Sequence, residues 1–267
     1  MQKRIITSHL MLAVLMSASA GGHAFELGIG AEMMYFDYEE TDVNGNLLNQ
    51  ETGFIPGLSL SAAQAFHNVN NSFKISAHDG QVDYDGQTQS GRPHETTTEE
   101  TVYRVLYKLS WSPASSQSAL YGEAGWQQWD RDIQPTNGVL GLFERYQWWS
   151  LEAGVQLPFI NSDRQDLSLQ VCMLTTFNGT IMIELTEAGY GSHTLDLGED
   201  FGFSGELNYR YRQARHSSLQ LGLQVKTWDF GRSNSKTITN GSNIISITEP
   251  DSTSIQATLS ASYIHHF

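Results

Sequence analysis

The sequence contains no apolar run that could cross a membrane as a helix, which would need about 20 consecutive apolar residues. Cysteine is limited to Cys172, so no internal disulfide can form. Basic side chains are also scarce: 15 Lys and Arg stand against 29 Asp and Glu, and the formal net charge is −14. So acidic a chain cannot neutralise the phosphates of nucleic acid, which excludes nucleic acid as a partner.

The N-terminal segment has the three parts of a secretory signal. Lys3 and Arg4 are basic, residues 10–16 are apolar, and small residues occupy 17–22. The apolar run is too short for the alternative, a helical membrane anchor. The sequence therefore predicts a signal peptide over 1–24, cleaved after Ala24 or alternatively after Ala20, and one domain over 25–267.

The rest of the chain alternates between apolar and polar residues, the period of a strand with two different faces. In 142–157, Leu151 and Val155 share one face, whereas Ser150 and Glu152 share the other. We read ten such strands: 25–38, 53–66, 71–84, 99–112, 118–130, 142–157, 165–178, 197–212, 218–230 and 254–267. Twelve strands are the alternative if the fourth long loop holds a hairpin.

The connections between these strands alternate in length. They are short after even-numbered strands and long after odd-numbered strands, at 39–52, 85–98, 131–141, 179–196 and 231–253. This pattern, together with a last strand that ends at Phe267, resembles the outer-membrane β-barrels of Gram-negative bacteria. The resemblance implies an all-β, closed antiparallel transmembrane barrel, with short periplasmic turns and long extracellular loops. It also implies that the outer-membrane assembly machinery reads the strand ending at Phe267.

A soluble sandwich or a lipocalin-like barrel would turn the apolar face inward instead. Alternation alone does not say which face is inside, but the signal peptide, the strand length and Phe267 favour the membrane. Aromatic residues toward the long loops are typical of an interfacial girdle. They are Tyr35, Tyr103, Trp129, Trp149, Phe177, Phe203 and Phe230.

Two groups of charged residues are candidates for function. The polar strand faces predict a lumen charge network of Glu32, Arg104, Lys108, Glu152, Glu206, Arg210 and Lys226. Buried charges are costly unless paired, so we expect ion pairs within it, such as Glu152 or Glu206 with a neighbouring cation. A second group, the mouth cluster, lies around the third long loop and comprises Asp130, Arg131, Asp132, Glu144 and Arg145.

The chain also resembles omptins, the ten-stranded outer-membrane proteases, in mature length, strand count and terminal aromatic residue. Their catalytic signature has two aspartates on one side of the mouth and an Asp-His pair on the other. Asp83 and Asp85 could supply the first half. The loop 231–253 contains no histidine, and His193 with Asp196 is the nearest substitute. The resemblance is therefore architectural and leaves these residues as weak catalytic candidates.

The sequence predicts a non-enzymatic outer-membrane barrel that contacts outer-membrane lipid and lipopolysaccharide. Its loops would bind a surface partner, lipid or solute. The acidic loop residues make the outer surface negative, so divalent cations would bridge it to lipopolysaccharide: they are Glu39, Glu40, Asp42, Glu51, Glu187, Glu199 and Asp200. The alternatives are an omptin-like or lipid A-modifying enzyme and a narrow pore. No motif predicts a metal site or a cofactor, because Leu47 replaces the glycine of a calcium loop.

Overall fold

The computed structural model describes residues 25–88, 91–114, 116, 118–136, 138–241 and 243–267, which are mostly β-strand. The predicted signal peptide lies outside the described residues. The strands are β1 (Phe25–Thr41), β2 (Leu47–Phe66), β3 (Val69–Gln87), β4 (Pro93–Trp111), β5 (Ala119–Ile133), β6 (Leu142–Asn161), β7 (Gln165–Leu185), β8 (Gly191–Asp196), β9 (Phe201–Ala214), β10 (Ser217–Phe230), β11 (Lys236–Asn240), β12 (Asn243–Ile247) and β13 (Asp251–His266). No helix in this part of the chain is long and apolar enough to span a membrane.

Ten strands close into one antiparallel barrel. Their order is β6-β5-β4-β3-β2-β1-β13-β10-β9-β7, and the pairing of β6 with β7 completes the ring. The first and last barrel strands are neighbours, with Glu26 opposite His266 and Tyr38 opposite Ser254. The predicted closed, ten-stranded barrel is confirmed, with short turns at the end where Phe25 and Phe267 lie and long loops at the other.

The remaining strands add nothing to the barrel wall. β8 pairs with the part of β7 that runs past the barrel, from Thr180 opposite Asp196 to Leu185 opposite Gly191. β11 and β12 form a separate two-stranded sheet in the last long loop. The fourth long loop thus extends β7 beyond the barrel and pairs this extension with β8, without adding a strand to the barrel wall. The twelve-stranded alternative is wrong.

An apolar band surrounds the turn-side part of the barrel. Its side chains point outward and are strongly exposed, as at Leu58, Leu151 and Leu221, where between 51% and 67% of the residue surface is accessible. Exposed apolar surface on this scale is stable only against lipid. We therefore assign this band to the membrane, and the outward alternation predicted for the sixth and ninth strands is confirmed.

Above the band, toward the long loops, the two faces exchange character. Along β1, the inward residues change from Gly30 and Glu32 to Phe36 and Tyr38, while the outward residues change from Ile29 to acidic side chains. A wall with water outside must hold its apolar residues inside, as in a soluble barrel. The strands therefore protrude from the membrane and enclose an apolar core there.

This exchange corrects two members of the predicted aromatic girdle. Trp129 and Phe230 are 1% and 2% exposed and point into the protruding core. Trp149, by contrast, is 47% exposed on the outer wall. Trp129 and Phe230 lie toward the long loops, as predicted. They are on the inner face, however, where the apolar core replaces the polar lumen.

A bulge on β7 makes this apolar interior possible. Two residues, Asn178 and Gly179, occupy the space opposite Trp148, because the register with β6 shifts there. Asn178 takes a φ of 51°, a left-handed conformation that asparagine tolerates better than most residues. The extra residue reverses which positions face inward, so Ile181 and Ile183 become buried above the bulge although Cys172 and Leu174 are the inward residues below it.

Candidate functional site

The turn-side half of the interior is a polar vestibule of about 540 Å³. Residues at the turn end of the strands, including Asn70, Asn161 and Asp166, form its rim. Glu123, Arg104 and other side chains deeper in the barrel line its inner part. The vestibule therefore opens toward the side on which Phe25 and Phe267 lie.

Ion pairs across the strands neutralise part of the charge in the polar interior. Lys226 contacts the carboxylate of Glu152, one of the pairs that the sequence predicts. On the opposite wall, Glu32 lies 2.7 Å from Lys74 Nζ and 3.0 Å from His78 Nε2. These contacts provide the compensation that a charge inside a membrane barrel requires.

The other predicted network members lie at different depths. Arg210 is near the rim, where its Nη1 donates to Glu26 Oε1 at 3.0 Å. Arg104 is deeper and contacts the amide oxygen of Gln256, whereas Lys108 contacts that of Gln170. Glu206 lines the same vestibule. The structure thus places all seven predicted residues on the lumen side, but in separate contacts and not in a single network.

An apolar plug closes the barrel above the vestibule. It is continuous from the inner residues of the barrel strands to the hairpin of the last long loop, and its fully buried aromatic rings include Trp129, Tyr146 and Phe36. Trp148 packs edge-on against Phe230, with 5.1 Å between ring centroids. These buried side chains form one packed layer between the vestibule and the long loops.

A cluster of carboxyl groups is buried within the plug around Arg131. The guanidinium binds Glu51 in a bidentate manner, with Nε and Nη2 each 3.0 Å from a carboxylate oxygen. Its Nη1 donates to Glu144 at 2.7 Å and to Glu40 at 3.0 Å. The four residues come from β5, β2, β6 and β1, and each is no more than 7% exposed.

Two further carboxyl groups extend this cluster. Glu249 follows β12 and accepts a hydrogen bond from the Tyr146 hydroxyl at 2.5 Å. Glu100 of β4 accepts one from the indole N–H of Trp129. One guanidinium therefore lies among five buried carboxyl groups, and a fully ionised cluster would be strongly negative. Some of these groups must hold protons, because uncompensated buried charge is very costly.

The environment of these carboxyl groups raises their proton affinity, and they lie above the membrane band. Burial, offset by Arg131 but reinforced by Glu40 and Glu51, raises the pKa of Glu144 to about 7. Burial and the neighbouring Glu51 raise the pKa of Glu100 well above its usual value. Glu144 consequently exchanges its proton near neutral pH, and Glu100 holds its proton at higher pH than an ordinary carboxyl group does.

The predicted mouth cluster is divided by the barrel wall. Arg131 and Glu144 point inward into the buried cluster, but Asp130 and Arg145 face outward and form their own ion pair at 2.7 Å. Asp132 is exposed on the outer wall. A strand sends successive side chains to opposite sides, which separates residues that are adjacent in sequence. The prediction of one cluster at the mouth is therefore corrected.

The weak catalytic candidates do not come together either. Asp83 and Asp85 are exposed on the outer face of β3, pointing away from the interior. His193 lies on β8, which pairs only with β7, and its Nε2 is 2.8 Å from the carbonyl oxygen of Tyr190. The structure thus forms no shared acid-histidine site from these three residues.

Instead, the outer wall above the band is densely acidic. Asp85 lies directly opposite Glu95, and Glu99 lies directly opposite Asp132, so like charges face each other across neighbouring strands. Such pairs destabilise a sheet unless cations compensate them. Other outward carboxylates at this level are Asp37, Glu39, Asp79, Asp83 and Asp130. Glu40 and Glu51, predicted to belong to the outer surface, are inside the barrel.

Sequence reasoning did not identify the convergence of Glu40, Glu51, Glu100 and Glu249 on Arg131. The two-residue period of a strand could have indicated part of it. Glu40 is an even number of residues from the inward Glu32, and Arg131 is two residues from the inward Trp129, so both point inward. Their meeting depends on the stagger between strands, which the sequence pattern does not display.

This fold, with its apolar outer band and closed interior, defines an integral β-barrel of the bacterial outer membrane. Solved structures of that class share the architecture. The outer membrane protease OmpT from Escherichia coli has a TM-score of 0.61 and 8% identity, covering 92% of this chain and 97% of its own.

Two other solved structures are less similar. The translocator domain of the autotransporter NalP from Neisseria meningitidis has a TM-score of 0.46 and 8% identity, with coverage of 94% of this chain and 91% of its own. OprG from Pseudomonas aeruginosa has a TM-score of 0.39 and 11% identity, with coverage of 92% and 96%. No protein-family model matches the chain. The search of curated proteins also gives no match. The predicted resemblance to outer-membrane barrels of omptin size is confirmed at the level of fold.

Proposed function

We propose that the protein is a closed outer-membrane barrel whose acidic outer wall binds lipopolysaccharide through shared divalent cations. The single observation that carries this proposal is the position of the acidic wall, immediately above the lipid-facing band. From the edge of the band toward the loops, the carboxylates of β3, β4 and β5 would face the anionic headgroup region of the surrounding lipid. Two negative surfaces in contact repel each other unless cations lie between them.

The carboxylates of the wall can bind a divalent cation together with lipid phosphates, but they do not form a complete metal site on their own. Carboxylate oxygens are preferred ligands of Ca²⁺ and Mg²⁺. No group of three or more Asp, Glu, His or Cys residues in the described part of the chain is arranged to hold a metal ion. A bridging cation would therefore complete its coordination shell with lipid phosphates and water. The facing pairs Asp85–Glu95 and Glu99–Asp132 offer two carboxylates each.

The experiment compares thermal stability in lipid bilayers with and without lipopolysaccharide. We expect Mg²⁺ to raise the unfolding temperature, and chelation to lower it, only when lipopolysaccharide is present. A triple variant, Asp85→Asn with Glu95→Gln and Glu99→Gln, should lose most of this Mg²⁺ response. It removes both facing pairs, so the remaining wall repels the lipid less and needs fewer cations.

A matched control carries the same charge change at carboxylates without a facing partner: Glu184→Gln, Glu187→Gln and Glu199→Gln. We expect this control to keep the Mg²⁺ response of the native protein. An equal response of native protein and wall variant would contradict the proposal. An equal Mg²⁺ effect in bilayers of uncharged lipid would contradict it as well, because the cation would then act on the protein alone.

A further inference from the structure

The last long loop forms a cap over the mouth of the barrel. We define the cap as residues 232–241 and 243–250, which include β11 and β12. Ile238 and Ile247 are 4% and 6% exposed and pack into the apolar plug, and Ile245 packs against the same core. At the tip, Asn240 Nδ2 donates to the carbonyl oxygen of Ala188 at 3.4 Å. The hairpin pairs with no barrel strand in the described structure, so side chains and not a shared sheet hold it in place.

The two chain segments entering the cap are joined at a narrow neck. Ser233 N donates to the carbonyl oxygen of Glu249 at 3.1 Å, and Glu249 N donates to Ser233 Oγ at 2.8 Å. Ser235 and Thr248 connect the segments again through their hydroxyl groups, 2.7 Å apart. Because of this neck, the cap and the side chain of Glu249 must move together.

Glu249 attaches the cap to the buried carboxyl cluster. Its side chain enters the plug, where Tyr146 donates a hydrogen bond at 2.5 Å and the Tyr38 hydroxyl lies at 3.4 Å. No other carboxyl group of the cluster comes from the cap. The groups that face Glu249 from the barrel strands are Tyr38 and Glu40 of β1, Arg131 of β5, and Glu144 and Tyr146 of β6.

We propose that Glu249 is a proton-dependent latch: the cap is docked while Glu249 is protonated and is released from the mouth when Glu249 ionises. The contact geometry gives the mechanism. A neutral Glu249 accepts the tyrosine hydrogen bond without electrostatic cost. An ionised Glu249 adds a negative charge beside Glu40 and Glu144, whose compensation by Arg131 is already shared with Glu51.

The direction of the switch follows from the proton balance. Burial, with Glu40 and Glu144 as neighbours, raises the pKa of Glu249 well above its usual value. A raised carboxyl pKa makes docking most favourable at low pH and progressively less favourable as the pH rises toward the docked-state pKa. The cap is thus closed in acid and opens toward alkaline pH.

A spin label on the cap tests this latch in the full-length protein. Thr239→Cys places the label on an exposed position of β11, next to the buried Ile238. The native Cys172 is buried, and unmodified protein serves as the labelling control. We expect an immobile label at pH 5.5 and a growing mobile fraction up to pH 9. An unchanged spectrum across this range would overturn the proposal.

Two variants identify Glu249 as the responsible group. Glu249→Gln keeps the acceptor oxygen without an ionisable proton, so its cap should stay immobile at pH 9. Glu144→Gln removes a repelling neighbour on the barrel wall and should move the transition to higher pH. Glu184→Gln, on the outer part of β7, should leave it unchanged. If Glu249→Gln releases the cap with the native pH dependence, or if Glu144→Gln leaves the transition unshifted, Glu249 is not the latch.

Discussion

At the residue scale, Arg131 has the largest electrostatic role in the protruding half of the barrel. It is 1% exposed, and its guanidinium contacts carboxylates from three other strands. The same side chain lies 4.7 Å from the ring centroid of Tyr38, a cation–π distance. Arginine suits this position because its planar fork can donate to several carboxylates at once and stays ionised in the interior.

Replacing Arg131 with Met should destabilise the barrel by about 3–5 kcal/mol at pH 8, because three carboxylates lose their buried counter-charge. The loss should shrink at pH 5.5. Burial raises the pKa of Glu144 to about 7, so this carboxyl group is largely protonated there and needs no counter-charge. Urea unfolding of protein in lipid vesicles at the two pH values measures both effects.

Arg145 provides the matched control. It also pairs with a carboxylate, Asp130 at 2.7 Å, but on the partly exposed outer wall. Arg145→Met should cost less than about 1 kcal/mol, since water screens exposed ion pairs. Equal losses for the two variants would mean that the buried cluster does not stabilise the fold in the way described.

At the element scale, each long strand combines two environments with opposite inside–outside polarity. In β10, Leu219, Leu221 and Leu223 face outward within the band, whereas Trp228 and Phe230 face inward above it. The change occurs because lipid surrounds the lower part of the strand and water the upper part. An inward residue is therefore typically polar within the membrane band and apolar above it, and the reverse holds for an outward residue.

Arginine substitutions at outward positions should reveal this boundary. Leu221→Arg lies within the band and should cost about 2–4 kcal/mol, the range for a cation placed at the lipid-facing midplane of a barrel. Gln81→Arg is also outward and exposed, but on the protruding part of β3 opposite Glu99, and should not destabilise the barrel, because water surrounds it and its charge is opposite to that of Glu99. The free energy of unfolding in lipid vesicles checks both expectations. A similar cost at both positions would refute the placement of the band.

At the scale of the whole molecule, the barrel is open at one end and closed at the other. The vestibule of about 540 Å³ reaches the rim at the turn side, and the aromatic plug and the cap close the loop side. This arrangement disfavours the narrow-pore alternative. The outer wall and the cap are the surfaces that remain accessible on the loop side of the barrel.

The closed interior predicts that the protein does not conduct ions. Reconstitution into planar bilayers at pH 6 should give no stepwise current, because the packed rings of Trp129, Trp148 and Phe230 block the axis. Regular single-channel steps that scale with protein concentration would contradict the closed structure.

Cysteine labelling from solution gives the corresponding positive control. Ser262→Cys lies on the vestibule wall and should react with a hydrophilic maleimide. Ser252→Cys lies on the inner face of the same strand, β13, but is 4% exposed within the plug and should remain unlabelled. Equal labelling of both positions would show that water passes the plug.

The amino-acid sequence by itself determined the barrel. Alternation with period two and the regular exchange of short and long connections predict ten antiparallel strands. Both patterns arise from local geometry and from backbone hydrogen bonding, which lipid makes obligatory. The outward direction of Leu151 and Leu221 followed in the same way. The lumen side of Glu152 and Lys226 also follows from strand parity, and their opposite charges made an ion pair between them one of the expected contacts.

Only the tertiary structure decided which charges meet. Asp130 and Arg131 are neighbours in sequence, yet the wall separates them. Arg131 joins Glu144, directly opposite it on β6, with Glu40 of β1 and Glu51 of β2, two strands that do not pair with β5. The stagger between strands sets these contacts, the bulge at Asn178 changes which residues point inward, and the height of the membrane decides whether the inside is polar or apolar. The stagger, the effect of the bulge and the height of the membrane each depend on how strands are arranged relative to one another and to lipid. The residue pattern of a single strand therefore cannot predict them.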